Sequence, residues 1–341
     1  MNKWLLFMFL FVLLVVVLIA DILIGTVNIS IKDLFNIILL GDNTNINLNL
    51  ILFDFRLPKA LAAIIAGAAL SVSGLQMQTV FRNPLAGPYV LGISSGASLG
   101  VALVVLSMSS VLGTAALGFS GNWLVVIAAW LGSAAVLLMI FIVSSRVRDI
   151  MTILILGIMF GSVIGAVVNI LQYFSSESSL KSFVIWTMGS LSGITSSQLS
   201  VLIPSAIIGL ILSFLSSKQL DVLLLGENYA KTLGVNIFRA RFLIFVSTSI
   251  LAGSVTAFCG PIGFIGIAVP HIAKILFKTS VHKYLIVGSA LIGAVLMLVS
   301  DIISQLPQSG GSIPINSITA LLGIPIIIWI ILRNHKISSI S

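Results

Sequence analysis

Charge is what this sequence has least of. Only 8% of its 341 residues are Asp, Glu, Lys or Arg, against about 25% in ordinary soluble domains. Hydrophobic residues make up 59%, and the mean hydropathy is +1.23. Too few polar side chains remain to cover a water-facing surface, which excludes a soluble globular protein of this length. One cysteine, Cys259, excludes an intrachain disulfide. Neither a fixed-period repeat nor a low-complexity tract is present.

What is there in quantity is long apolar runs. They do not alternate with period two, so they favour helices over a membrane β-barrel. Spanning hydrocarbon takes about 20 residues per helix. Ten such segments fit: Trp4–Ile24, Leu57–Val80, Val90–Met108, Trp123–Val143, Met151–Phe174, Gln198–Leu215, Arg241–Phe258, Ile262–Phe277, Tyr284–Leu306 and Ser317–Leu332. The predicted fold is all-α and integral to the membrane, a single transmembrane domain over residues 1–341. Lys3 and the run Trp4–Ala20 resemble a signal peptide. No small-x-small cleavage site follows, and Asp21-Ile22-Leu23 continues the stretch, so we read an uncleaved first helix.

Charge orients the chain. With the N-terminus inside, most of the 17 lysines and arginines fall at inner ends and loops, among them Arg82, Arg146, Arg148, Lys218 and Arg239. Only Lys32, Arg56, Lys59 and Lys181 fall outside. The positive-inside rule supports this orientation and an even helix count, with both termini cytoplasmic. The net charge of +8 follows from that topology and implies no nucleic-acid partner.

Between the spans, Ile29–Leu40 is expected as a short interfacial helix outside, and Phe183–Met188 as a second. Arg82-Asn83-Pro84-Leu85-Ala86-Gly87-Pro88 is a tight inner turn, because two prolines cannot sit inside a helix. Residues 218–239 are the longest inner loop, and Gln305–Asn316, with Gly310-Gly311, is an outer one. Gly92, Gly96 and Gly100 share a helix face, as do Gly157, Gly161 and Gly165. Such faces let backbones approach, and internal helix packing is the expected use.

Several patterns imitate chemistry. Gly92-Ile93-Ser94-Ser95-Gly96 fits G-x-S-x-G, but that elbow needs a strand, a turn and a downstream acid and histidine; here it opens a span. Lys231-Thr232 resembles the end of a P-loop, yet Ala230 and Leu225 stand where its glycines must be. No catalytic residue, cofactor or metal site is assigned. His271 has no second ligand near it in sequence and is expected to satisfy a backbone group. Gly260-Pro261-Ile262-Gly263-Phe264-Ile265-Gly266, followed by Pro270, describes a helix that breaks and restarts. Irregular backbone at membrane depth belongs against protein or a water-filled cavity, which makes Gly260, Pro261, Gly263, Gly266 and Pro270 pathway or gating candidates. Asp301 is the most interesting acid inside a span: such residues face a cavity or a partner, and the alternative, given its place near the outer end of the ninth span, is simple hydration.

Taken together these segments resemble the FecCD-type permeases, the membrane subunits of type II ABC importers for iron siderophores, haem and cobalamin. The likeness runs from about Arg56 to Arg333. It rests on Arg56-Leu57-Pro58, Gly67-Ala68-Ala69-Leu70-Ser71-Val72-Ser73-Gly74, Arg82-Asn83-Pro84-Leu85-Ala86, Leu91-Gly92-Ile93-Ser94-Ser95-Gly96-Ala97 and Trp186-Thr187-Met188-Gly189-Ser190-Leu191. Gly226-Glu227, Ala230, Leu233-Gly234-Val235, the 260–266 glycines with Pro270-His271, and Thr319-Ala320 with Gly323 and Pro325 complete it.

The resemblance implies ten helices per subunit in the type II importer fold and a homodimer with the pathway on its two-fold axis. It implies two ATP-binding cassette ATPase subunits inside and an extracytoplasmic binding protein outside, all at the bacterial cytoplasmic membrane. Residues Lys218 to Val235 are then coupling helices seated in the ATPase. Gly226, Glu227, Ala230, Lys231, Leu233 and Gly234 carry that contact: small Ala230 and Gly234 on one face, Glu227 and Lys231 paired at the rim. Arg56 and Lys59 match basic positions that meet the binding protein. The cargo expected is a ferric siderophore, with haem and cobalamin as alternatives. The chain departs from the pattern at Ser312-Ile313-Pro314-Ile315-Asn316, where the family has Glu-Leu-Pro-(Ile/Val)-Gly, and at Gln305, where it often has Arg. A stand-alone secondary transporter is the rival of another class; it expects paired intramembrane acids, and only Asp301 is available on this reading.

Overall fold

The computed structural model describes residues 3–25, 27, 29–40, 46–108, 119–147, 149–306 and 312–338. All regular structure among them is helical. In chain order the helices are α1 (Lys3–Leu23), α2 (Ile31–Leu40), α3 (Ile46–Val80), α4 (Ile93–Ala102), α5 (Phe119–Arg146), α6 (Ile150–Tyr173) and α7 (Glu177–Thr187). There follow α8 (Ser196–Leu215), α9 (Ser217–Leu224), α10 (Glu227–Thr232), α11 (Ile237–Cys259), α12 (Ile265–Phe277), α13 (His282–Gln305) and α14 (Ile315–Ser338).

The ten expected spans resolve into seven helices long and apolar enough to cross a membrane, namely α1, α3, α5, α6, α8, α11 and α13, together with the apolar helices α4, α12 and α14. Helices α4 and α12 are short for visible causes. A π-helical stretch, Leu103–Met108, follows α4, and α12 begins only after the glycine-proline break. The interfacial helix expected at Ile29–Leu40 is α2. The expected Phe183–Met188 helix starts earlier, because Ser176 accepts from the Ser179 amide and caps it. Residues Arg148 and Gly310-Gly311 lie outside the described set.

Helix starts follow their capping side chains. Thr195 and Gln198 form a reciprocal capping box at α8, and Asn236 accepts from the Arg239 amide at α11. Asp149 accepts from the hydroxyl and amide of Thr152 at α6, which holds its carboxyl below the usual carboxylate range.

The centre of the bundle is α3, whose residues from Ala66 to Val80 are all buried. Its neighbours α11, α12 and α13 approach closely because small residues meet backbone. A Cβ added at Gly74 would lie 1.7 Å from the Gly266 carbonyl oxygen, and one at Gly67 would lie 2.1 Å from that of Gly293. The glycine stripe of α4 is used the same way: added Cβ atoms at Gly96 and Gly100 would lie 2.4 and 1.9 Å from carbonyl oxygens of α5. Gly157 meets the Val90 carbonyl, whereas a Cβ at Gly165 would find nothing within 4 Å. Internal packing therefore accounts for the stripes except at Gly165.

These distances set a test. Gly74→Ala forces α3 away from α12 and should lower the unfolding temperature in detergent markedly. Gly165→Ala should stay within about 1 kcal/mol of the parent, on helix propensity alone. Equal thermal stability of the two variants would contradict this packing.

Candidate functional site

Three regions hold the residues singled out from the sequence. The first is the break between α11 and α12. Gly260 has φ of +74° and Phe264 of +67°, and a Cβ at Gly260 would lie 2.5 Å from the Trp186 carbonyl oxygen. The exposed amides of the break are satisfied locally. Ile262 N donates to the Tyr89 hydroxyl at 3.3 Å and Gly263 N to Asn316 Oδ1 at 2.8 Å, while Ser190 N donates to the Cys259 carbonyl at 2.8 Å. Residues 85–90 face residues 262–267 across a cavity of about 330 Å³, so the irregular backbone does line a void. Gly263 and Gly266 border it; Gly260, Pro261 and Pro270 do not. Pro270 is buried inside α12, and its neighbour His271 contacts the Pro84 carbonyl at 2.8 Å through Nε2. His271 thus satisfies a backbone group, as its sequence context suggests.

The second region is the helix pair α9–α10 at the end expected inside. Arg82 donates from Nη2 to the carbonyls of Leu224 (3.3 Å) and Leu223 (3.5 Å), closing the end of α9. Gly226, at φ +113°, is where that guanidinium passes: a Cβ there would lie 2.4 Å from Arg82 Nη2. Helix α10 ends in a Schellman motif, with Val235 N donating to the Ala230 carbonyl and Gly234 N to that of Lys231, both at 3.0 Å. Gly234 supplies the left-handed residue this ending needs, at φ +79°.

That geometry corrects two expectations. Ala230 and Gly234 do not share an outward face: Ala230 is fully buried inside the chain and Gly234 lies beyond the end of α10, exposed. Glu227 pairs with Arg241 of α11 rather than with Lys231, because α10 folds back along α11 and brings that guanidinium to it. Lys231 is exposed. The face that does point outward carries Leu225, Tyr229 and Leu233, 63%, 54% and 56% exposed.

The third region lies at the opposite end, where Arg56 and Lys59 were expected to meet acidic residues of a binding protein. They are not free. Arg56 is buried and its guanidinium donates to the carbonyls of Ile22, Val27 and, at 3.1 Å, Leu23, tying α3 to the end of α1. Lys59 Nζ meets Asp301 Oδ2 at 2.9 Å, and Asp301 is only 1% exposed. Gln305 Nε2 bridges Asp301 Oδ2 (3.0 Å) and Asp21 Oδ1 (3.2 Å). Asp21, also buried, is the acid that sequence reasoning passed over, because it reads as the tail of the first apolar run. A buried carboxylate requires partners, and the bases expected to face a binding protein are consumed here. Both family departures take up roles in these networks, Gln305 between the acids and Asn316 at the Gly263 amide.

The profile of the FecCD transport family matches residues 13–333. The chain belongs to that family and is an ABC importer permease, a membrane transport subunit. It is similar to the hemin transport system permease protein HmuU of Yersinia pestis, at 36% identity over 333 residues, 96% of this chain and 95% of that protein. It is 35% identical over 288 residues to the vitamin B12 import system permease protein BtuC of Vibrio cholerae, covering 84% and 83%. Among solved structures, a metal-chelate type ABC transporter in an inward-facing conformation superposes with a TM-score of 0.83 at 28% identity, over 96% of this chain and 99% of that one.

The Lys59–Asp301 pair makes a stability prediction. Lys59→Met alone leaves a buried carboxylate short of its counter-charge and should cost about 3–5 kcal/mol. Adding Asp301→Leu should recover most of the loss. Unfolding in detergent reads both, and a Lys59→Met variant as stable as the parent would contradict the assignment.

Proposed function

We propose that this permease carries a metal chelate, a ferric siderophore first, across the bacterial cytoplasmic membrane. It works as a homodimer with two ATPase subunits on the inner side and a binding protein outside. The observation that carries the reading is the α9–α10 pair. It packs against one end of the bundle, is pinned by Arg82 and Arg241, and presents Leu225, Tyr229 and Leu233 to the medium. Exposed apolar side chains clustered outside the lipid-facing zone mark a protein contact, and the ATPase is the partner the family supplies.

Covalent chemistry has no place in the chain's own role. ATP-driven closure of the partner subunits moves α9–α10, and the α11–α12 break beside the cavity is where the pathway gate lies. The outer network of Arg56, Lys59, Asp21 and Asp301 holds the surface on which the binding protein sits, by fixing α1, α3 and α13 rather than by offering free charge. Haem is the second reading, favoured by the hemin permease that matches almost the whole chain.

The test is reconstitution. With its ATPase and binding protein in liposomes, the permease should take up labelled ferric siderophore in a vanadate-sensitive way, with hemin and cobalamin as competitors. Uptake by the lone chain on a proton or sodium gradient would contradict the assignment. Tyr229→Glu with Leu233→Glu should abolish co-purification of the ATPase while membrane insertion persists; normal co-purification would remove α10 from the contact.

A further inference from the structure

A chain of polar groups, buried at His282 and Thr79 and partly exposed at Asp221, links the coupling pair to the bundle, and the reading above does not use it. Asp221 of α9 accepts, through Oδ1, from the backbone amide of His282 at 2.8 Å and contacts its Nδ1 at 2.7 Å. The other ring nitrogen, Nε2, lies 2.8 Å from Thr79 Oγ1 in the last turn of α3. His282 and Thr79 are each 1% exposed. One imidazole thus joins three elements: the cytoplasmic helix α9, the start of α13 and the end of α3.

Each bond has a physical reason. His282 is the first residue of α13, so its amide has no partner within the helix, and a carboxylate is well placed there. The carboxylate can only accept, which places a proton on Nδ1 and leaves Nε2 of a neutral ring to accept from the threonine hydroxyl. Thr79 has a second acceptor in reach, the Leu75 carbonyl at 2.9 Å. Its hydroxyl can turn to that carbonyl when the ring withdraws, so α3 can be released without stranding a buried donor.

We propose that Asp221, His282 and Thr79 form the link by which displacement of the coupling pair reaches α3 and α13, with His282 as the positioning residue. The proposal rests on the permease reading, in which α9–α10 is the part the ATPase moves. The other attachments do not reach α13: Arg82 joins α9 to the turn after α3, and Glu227 joins α10 to α11. Through His282 alone, among these three, a shift of α9 is felt on both the central helix α3 and its closest partner α13.

The experiment uses the full complex with its ATPase in lipid. A spin label at Leu85→Cys, in the exposed turn beyond α3, is paired with its copy in the partner subunit; the native Cys259 is buried. The distance is read with and without vanadate-trapped nucleotide, alongside ATP hydrolysis. Thr79→Val, nearly isosteric, should keep ATPase association and hydrolysis but lose the nucleotide-dependent shift seen in the parent. Thr79→Ser should retain it, and His282→Leu should lose it as well.

A full shift in Thr79→Val and His282→Leu overturns the link. Loss of the ATPase from either variant also overturns it, by making these assembly residues. A parent complex that binds no ATPase, or shows no shift, removes the permease reading and the link with it.

Discussion

Everything in this bundle is arranged around one close contact, the antiparallel pair α3 and α13. Lipid offers no hydrophobic drive between helices, so their attraction depends on how near the backbones can come. Gly67 and Gly293 set that distance; an added Cβ on either meets the other's carbonyl oxygen at 2.1 or 2.3 Å. The same register runs to both ends of the pair. Lys59 meets Asp301 at one end, and Thr79 meets His282 at the other. The stretch from Lys59 to Thr79 spans about 30 Å of helix, the thickness of the hydrocarbon. The pair is thus packed by glycine in the dry middle and tied by polar bridges where each helix nears water.

From this pair the functional regions take their positions. Gly74 of α3 receives the Gly266 carbonyl, which seats the start of α12 and places the preceding break against the 85–90 turn. The C-terminal end of α3 runs into Arg82, which closes α9. Nearer its N-terminal end, Arg56 anchors α1. A single central helix therefore reaches both ends of the bundle, with Gly74 packed against Gly266 at the edge of the cavity. That is the geometry a transporter needs if events on one side of the membrane are to be felt on the other.

Much of this was legible in the sequence. The helical, membrane-embedded character was, although seven helices rather than ten are long and apolar enough to cross and the expected Leu57–Val80 span begins at Ile46. The break was, since Gly260-Pro261 cannot continue a helix. The two families of glycine contact were legible unequally. The stripes at 92–100 and 157–165 show as spacing, whereas Gly67 and Gly293 matter only because of what faces them. Side-chain pairing was the least legible. Arg56 and Lys59 look exposed in a linear reading because they sit near the end of a span, yet backbone carbonyls at the end of α1 hold Arg56 and the distant Asp301 holds Lys59, drawing both inward. Ala230 and Gly234 share a spacing of one turn, but a Schellman ending after Thr232 destroys the face they would share.

The central claim is that the cavity beside the α11–α12 break belongs to a pathway worked by ATP. Ile267 borders that cavity and is partly exposed, while the native cysteine is buried. Ile267→Cys in the assembled complex, treated with a membrane-impermeant thiol reagent from each side in turn, tests the claim most directly. The account predicts that the side from which labelling occurs changes when nucleotide is trapped with vanadate. Labelling from the same side at the same rate in both states would contradict it.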